Sequence, residues 1–81
     1  MYDIRRTPST RAAEQAMPES LSVAFGVVLE AIAADPWSVG RPFGPRTPAR
    51  IETFGLGGRG MVLFTIHDEG DPHVRLQQIT F

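Results

Sequence analysis

The sequence predicts an α+β domain of strand, helix, helix and three-stranded meander (β-α-α-β-β-β), an antiparallel sheet covered on one face by a two-helix hairpin. Three observations predict it. Apolar residues recur at helical spacing from Leu21 to Ile32, and the run stops at Asp35-Pro36. Three strand-like segments follow between residues 49 and 81, divided by glycine-rich or polar turns. The N-terminal Tyr2–Arg6 alternates apolar and polar, as one short strand does. With 81 residues, the whole chain reads as a single domain, 1–81.

The elements follow in order. Thr7-Pro8-Ser9 breaks the first strand, and Ser9 is the expected N-cap of a short helix over Thr10–Met17. Pro18 suits the first turn of a second helix, where its missing N–H has no partner to lose, and Glu19 suits the positive helix end. In that helix Leu21, Phe25, Val28 and Ile32 stand at offsets of four, three and four, which is one face. Ala24, Leu29 and Ala31 widen the stripe, and Gly26 allows a close approach by the sheet. Covering the four large side chains is worth roughly 6–12 kcal/mol of gross burial before entropy is counted. Asp35-Pro36 ends the helix, because a residue before proline avoids helical angles.

Residues 37–48 (WSVGRPFGPRTP) hold three prolines and two glycines and form a connector. Trp37, Val39 and Phe43 are expected to tuck under the helix end, with a stacking platform for a base or sugar as the alternative for Trp37. Ala49–Phe54 alternates as a strand, with Ile51 and Thr53 on one face and Arg50 and Glu52 on the other. Residues 55–60 (GLGGRG) make a turn. Met61–Ile66 is nearly continuously apolar, as expected of a central strand buried on both faces. After a second turn at 67–72, the final strand changes its apolar parity between Leu76 and Ile79, which predicts a bulge near Gln77-Gln78.

Composition narrows the function classes. There is no cysteine, so disulfides and thiolate metal sites are unavailable, in keeping with a cytoplasmic setting. The apolar run Leu21–Leu29 is too short to span a bilayer, which takes roughly 20 residues. The first residues carry no apolar signal segment, so no membrane partner is expected. Net charge is −1, giving no long-range attraction to a polyanion. All cations are arginine, a bias that either a GC-rich coding sequence or bidentate anion recognition explains.

Several motifs have plain structural readings. The glycine cluster at 55–60 lacks the Lys-Ser/Thr of a phosphate loop and leads into a strand, so it reads as a hairpin turn. The run His67-Asp68-Glu69-Gly70-Asp71-Pro72-His73 holds two imidazoles and three carboxylates. Its spacing fits no calcium loop and polar turn chemistry accounts for it, so no metal and no cofactor is expected. No serine sits in a nucleophile elbow, and no carboxylate pair marks a hydrolase.

Three strings taken together resemble the RelE/ParE superfamily of toxins from type II toxin–antitoxin systems. They are the opening YDIRRTPS, the phrase LEAIAADPWSVGRPFG, and VLFTIHDEG followed by HVRLQQITF. The resemblance covers nearly the whole chain, and DPWSVGRPFG is its most specific piece. It implies a partner, the cognate antitoxin protein, whose segments wrap helices and sheet. It also implies a cellular target: the ribosome and its mRNA for RelE-like members, which act as endoribonucleases, or DNA gyrase for ParE-like members.

The chain departs from that pattern where chemistry is concerned. Met61 stands at the family's central-strand arginine, and the end Ile79-Thr80-Phe81 has neither histidine nor cation. Cleavage beside a ribose 2′-hydroxyl needs a proton donor or acceptor and fixed cations near the phosphate. The available groups are His67 and Arg59 as catalytic candidates, with Arg50, Arg59 and Arg75 as phosphate-binding candidates. The expectation is a toxin-like protein that binds an antitoxin, with weak or absent mRNA cleavage. The alternatives are an active ribosome-dependent endoribonuclease, or a non-enzymatic module that forms a homodimer through the final strand ending at Phe81.

Overall fold

A computed structural model describes residues 1–81. The elements are β1 (Asp3–Arg5), α1 (Pro8–Ala16), α2 (Glu19–Ala34), a 3-10 turn (Pro36–Ser38), β2 (Arg41–Pro42), β3 (Ala49–Phe54), a second 3-10 turn (Leu56–Gly58), β4 (Gly60–His67) and β5 (His73–Thr80). They build an α+β domain in which one five-stranded sheet, in the order β1-β5-β4-β3-β2, packs against two helices.

The sheet is mixed, not purely antiparallel, and this corrects the expectation. β1 lies parallel to β5, with Ile4 opposite Val74, while the remaining neighbours are antiparallel. Alternation in sequence reports which face a side chain takes but carries no sign of strand direction. The connector also contributes the extra strand β2, whose Arg41 pairs with Ile51. β5 lies between β1 and β4 and is no edge, so the homodimer route through an unpaired final strand is closed. The sheet's edges are the short β1 and the proline-bearing β2, both poor templates for another chain.

Local chemistry explains the helices. Thr7, not Ser9, caps α1: its hydroxyl accepts from the Thr10 N–H at 3.1 Å, and the Thr10 hydroxyl accepts from the Thr7 N–H at 2.9 Å. A threonine thus fills the place usually held by Glu in a capping box, and Pro8 takes the first helical position. Thr10 is wholly buried, and its hydroxyl donates to the Thr7 carbonyl. Pro18 is the N-cap of α2, just outside the first turn in which it was expected, and Asp35 ends that helix.

α2 buries Leu21, Phe25 and Ile32 against Phe54, Val62, Phe64, Ile66, Val74, Leu76 and Ile79, with Met17 closing the core between the helices. The Phe25 and Phe54 rings meet at 5.0 Å in a tilted pair. Ala31 faces solvent, and a Cβ at Gly26 would touch nothing within 4 Å, so neither serves the sheet contact. The bulge falls at Gln77, where the register steps from Leu63–Gln78 to Phe64–Leu76. It returns Ile79 to the core face.

β4 alternates strictly, with Val62, Phe64 and Ile66 buried and Met61, Leu63 and Thr65 half-buried. No helix covers that second face, contrary to the reading of a strand buried on both sides. The connector departs from expectation too. Val39 packs partly on the core, whereas Trp37 and Phe43 remain 44% and 54% exposed.

Candidate functional site: the open face of the sheet

Residues on β4, β5 and β1 that point away from the helices meet in rows. His67 pairs with His73, and His73 with Asp3; Thr65 pairs with Arg75, and Arg75 with Arg5. The core residues Ile66, Val74 and Ile4 form the intervening row, so all six polar residues lie on the uncovered face. The His67 and His73 rings stack at 4.6 Å between centroids, 8° from parallel.

Hydrogen bonds orient the cluster. The Thr65 hydroxyl lies 3.0 Å from His67 Nε2 and accepts from the Gln77 amide at 3.0 Å. The bulge therefore does a second task, aiming the Gln77 side chain at this cluster. His73 Nδ1 lies 2.9 Å from the Asp71 carbonyl oxygen. A carbonyl only accepts, so Nδ1 carries the proton and Nε2 of the neutral ring presents a lone pair. Arg5 is engaged by Asp71 at 2.7 Å and Asp3 at 3.2 Å. Arg75 is exposed and takes part in no ion pair.

The other sequence candidates lie elsewhere. Arg50 sits in the row of Phe64 and Leu76, on the face opposite Arg75. Its guanidinium donates to the carbonyls of Val39 and Gly40, each at 2.8 Å, and so pins the connector to β3. It is not free to bind phosphate. Arg59 lies before β4, whereas His67 is that strand's last residue; an eight-residue strand separates its ends by about 23 Å. Arg59 borders a groove of about 370 Å³ beside α2, lined by Pro18, Leu21, Ala24 and Leu56. Arg59 and His67 therefore cannot act on one scissile phosphate. Of the four candidates, His67 and Arg75 alone share a neighbourhood.

Sequence reading missed Thr65 and placed His73 only in the polar run and Gln77 only beside the expected bulge; the part each plays here depends on strand register and on the bulge. It also missed Arg41. That side chain borders a shallow open-face depression of about 310 Å³ with Ile51, Thr53 and Met61. A cation thus stands beside Met61 on the open face.

A clasp borders the histidine end. Asp68 accepts from the Tyr2 hydroxyl through one oxygen and from the Trp37 indole N–H, at 3.0 Å, through the other. It joins the chain before β1, the turn after α2 and the β4–β5 turn. The hydrogen bond to Asp68 raises the Tyr2 phenol above its ordinary value, with partial burial and the Asp68 charge adding to the rise. The Trp37 contact opposes it slightly, and the Asp35 charge reinforces it.

The folded phenol accordingly keeps its proton to higher pH than the unfolded one. The clasp's contribution is whole below the ordinary value of 10.0 and is lost as pH climbs through the folded-state value. Tyr2 is the sole tyrosine, and the chain has neither lysine nor cysteine, so no other side chain titrates in that window. We expect urea midpoints of the wild-type chain to fall between about pH 8 and about pH 11 while those of Tyr2→Phe change little. Equal alkaline losses in both proteins would contradict the assignment.

No set of three or more His, Cys, Asp or Glu side chains is gathered to hold a metal ion. No helix is long and apolar enough to cross a membrane. No protein-family model, curated protein or solved structure matches the chain.

Proposed function

We propose that this chain is a toxin-like protein of the RelE/ParE kind, made to bind a cognate antitoxin protein, with weak or absent cleavage of mRNA. The observation that carries the reading is the layout of the sheet. A strand, a helical hairpin and a meander leave one sheet face bare, and that face holds His67, His73, Arg75 and Arg41. The phrase at residues 35–44 (DPWSVGRPFG) supports it further, because the exposed Trp37 and Phe43 are aromatic anchors of the type that partner proteins engage.

Weak cleavage follows from the dispersal of cations. Arg50 is spent on backbone carbonyls, Arg59 is a strand length away, and Arg5 is matched by two carboxylates. Arg75 alone stands free beside the histidines, and one fixed cation stabilises less developing charge than a cluster.

The test is expression of the chain with and without the product of the neighbouring gene. The expected result is a stable complex that survives size-exclusion chromatography, and little growth arrest from the chain alone. Failure to form any complex with that product would overturn the antitoxin pairing. The His67–His73 stack favours a second reading, residual endoribonuclease activity in which the two imidazoles exchange a proton with the 2′-hydroxyl and the leaving oxygen. Primer extension on translating ribosomes decides it. Cuts that vanish in Arg75→Ala and in His73→Gln support this reading, and unchanged cuts in both sink it.

A further inference from the structure

The geometry points to His67 and His73 as a two-imidazole site for a late first-row divalent cation, Cu²⁺ above all. This inference stands apart from the toxin reading. The two residues are direct cross-strand partners on one face, and their rings are stacked at 4.6 Å. Both lie on the solvent side of the sheet, His67 exposed and His73 half-buried, so a hydrated ion reaches them without any opening of the fold.

Each ring has one nitrogen engaged and one left over. His73 donates its Nδ1–H to the Asp71 carbonyl, the arrangement that fixes the tautomer of a metal-binding histidine and leaves Nε2 to the ion. On His67 the Thr65 hydroxyl, itself anchored by Gln77, holds Nε2 and leaves Nδ1. Metal–nitrogen bonds of about 2.0–2.1 Å require the two ligating nitrogens to lie within about 4 Å of each other. The stacked rings hold their in-plane lone pairs parallel, so to share an ion the exposed His67 ring tilts out of the stack about its Nε2 contact with Thr65.

Charge favours a cation. Asp68, Glu69 and Asp71 in the turn and Asp3 beside His73 give four carboxylates against the guanidiniums of Arg5 and Arg75. Asp3 and Asp71 are held by Arg5 and Asp68 by Tyr2 and Trp37, so they supply field rather than bonds. Water completes the coordination. Two imidazoles without thiolate suit copper, nickel and zinc, and affinity among these peaks at Cu²⁺.

The experiment is titration of the purified chain with CuCl₂, followed by calorimetry and by Trp37 emission. Trp37 is the sole tryptophan, and its indole is bonded to Asp68, next in sequence to His67, so bound Cu²⁺ quenches it. We expect one equivalent bound near neutral pH. His67→Gln and His73→Gln should each lower affinity at least about tenfold, and Thr65→Val about tenfold through loss of orientation. Circular dichroism of each variant checks that the fold is kept. The inference is overturned if the wild-type chain takes up no Cu²⁺, or if the double variant His67→Gln/His73→Gln binds as the wild type does. Full binding by Thr65→Val would overturn the orienting part.

Discussion

Phe64→Ala is expected to remove about 3–5 kcal/mol of stability, the cost of emptying a fully enclosed aromatic site. Phe64 has no exposed surface and stands at the middle of β4, the central strand, in one row with Leu76 and Arg50. Its neighbours belong to a sheet held by paired strands on both sides, so they cannot collapse inward without breaking register. A chain of 81 residues has a total stability of roughly 4–12 kcal/mol, so this one change takes a quarter or more of it. Urea denaturation followed by circular dichroism measures the loss. Leu56→Ala is the contrast: Leu56 is 96% exposed, and the midpoint should stay where it is. A Phe64→Ala midpoint close to that of Leu56→Ala would refute the placement of the core.

Gly40→Ala should be the most damaging change outside the core, at roughly 2–4 kcal/mol from left-handed strain plus lost charged hydrogen bonds. Gly40 has φ +69°, and a Cβ there would lie 2.1 Å from the Ile51 carbonyl oxygen. That oxygen is backbone in the middle of β3, so β2 must move instead. Moving it breaks the Arg41–Ile51 pairing and pulls the Val39 and Gly40 carbonyls off Arg50. Gly70→Ala isolates the steric part, because Gly70 has the same φ of +69° with nothing within 4 Å of the added carbon. We expect Gly70→Ala to cost only about 1–2 kcal/mol, the conformational term alone. Equal losses at the two sites, measured in urea, would show that the contact with Ile51 is not the cause.

Periodicity made the scaffold legible. The stripe Leu21–Phe25–Ile32, the Asp35 stop and the Ala49–Phe54 strand stand where the pattern predicts them, and so does the bulge beside Gln78. These depend on local spacing, which a sequence displays directly. Strand order and direction were not legible, because the parallel β1–β5 pairing depends on how the meander is laid down in space. The site suffered most from this. Arg50 and Arg75 look equivalent in sequence, yet the Arg50 row holds Phe64 and Leu76 while the Arg75 row holds Thr65. His73 read as the end of a polar turn until register set it against His67. Trp37 read as core because tryptophan is usually buried, but its N–H found Asp68 at the rim.

The β1–β5 pairing has a consequence for the order in which the chain can fold during synthesis. β1 is made first, yet its strand partner is the last strand made. Until His73–Thr80 arrives, β1 has no strand to join, and β4 presents an unpaired row of amides along one side. The helical hairpin and the β2–β4 segment can form early from nearby contacts, but they wait with half a core. Closing the loop between the two ends carries the largest entropy cost in the molecule and comes after all the local gains. A nascent chain stalled before residue 73 would therefore expose Val62, Phe64 and Ile66, the surface most prone to aggregate.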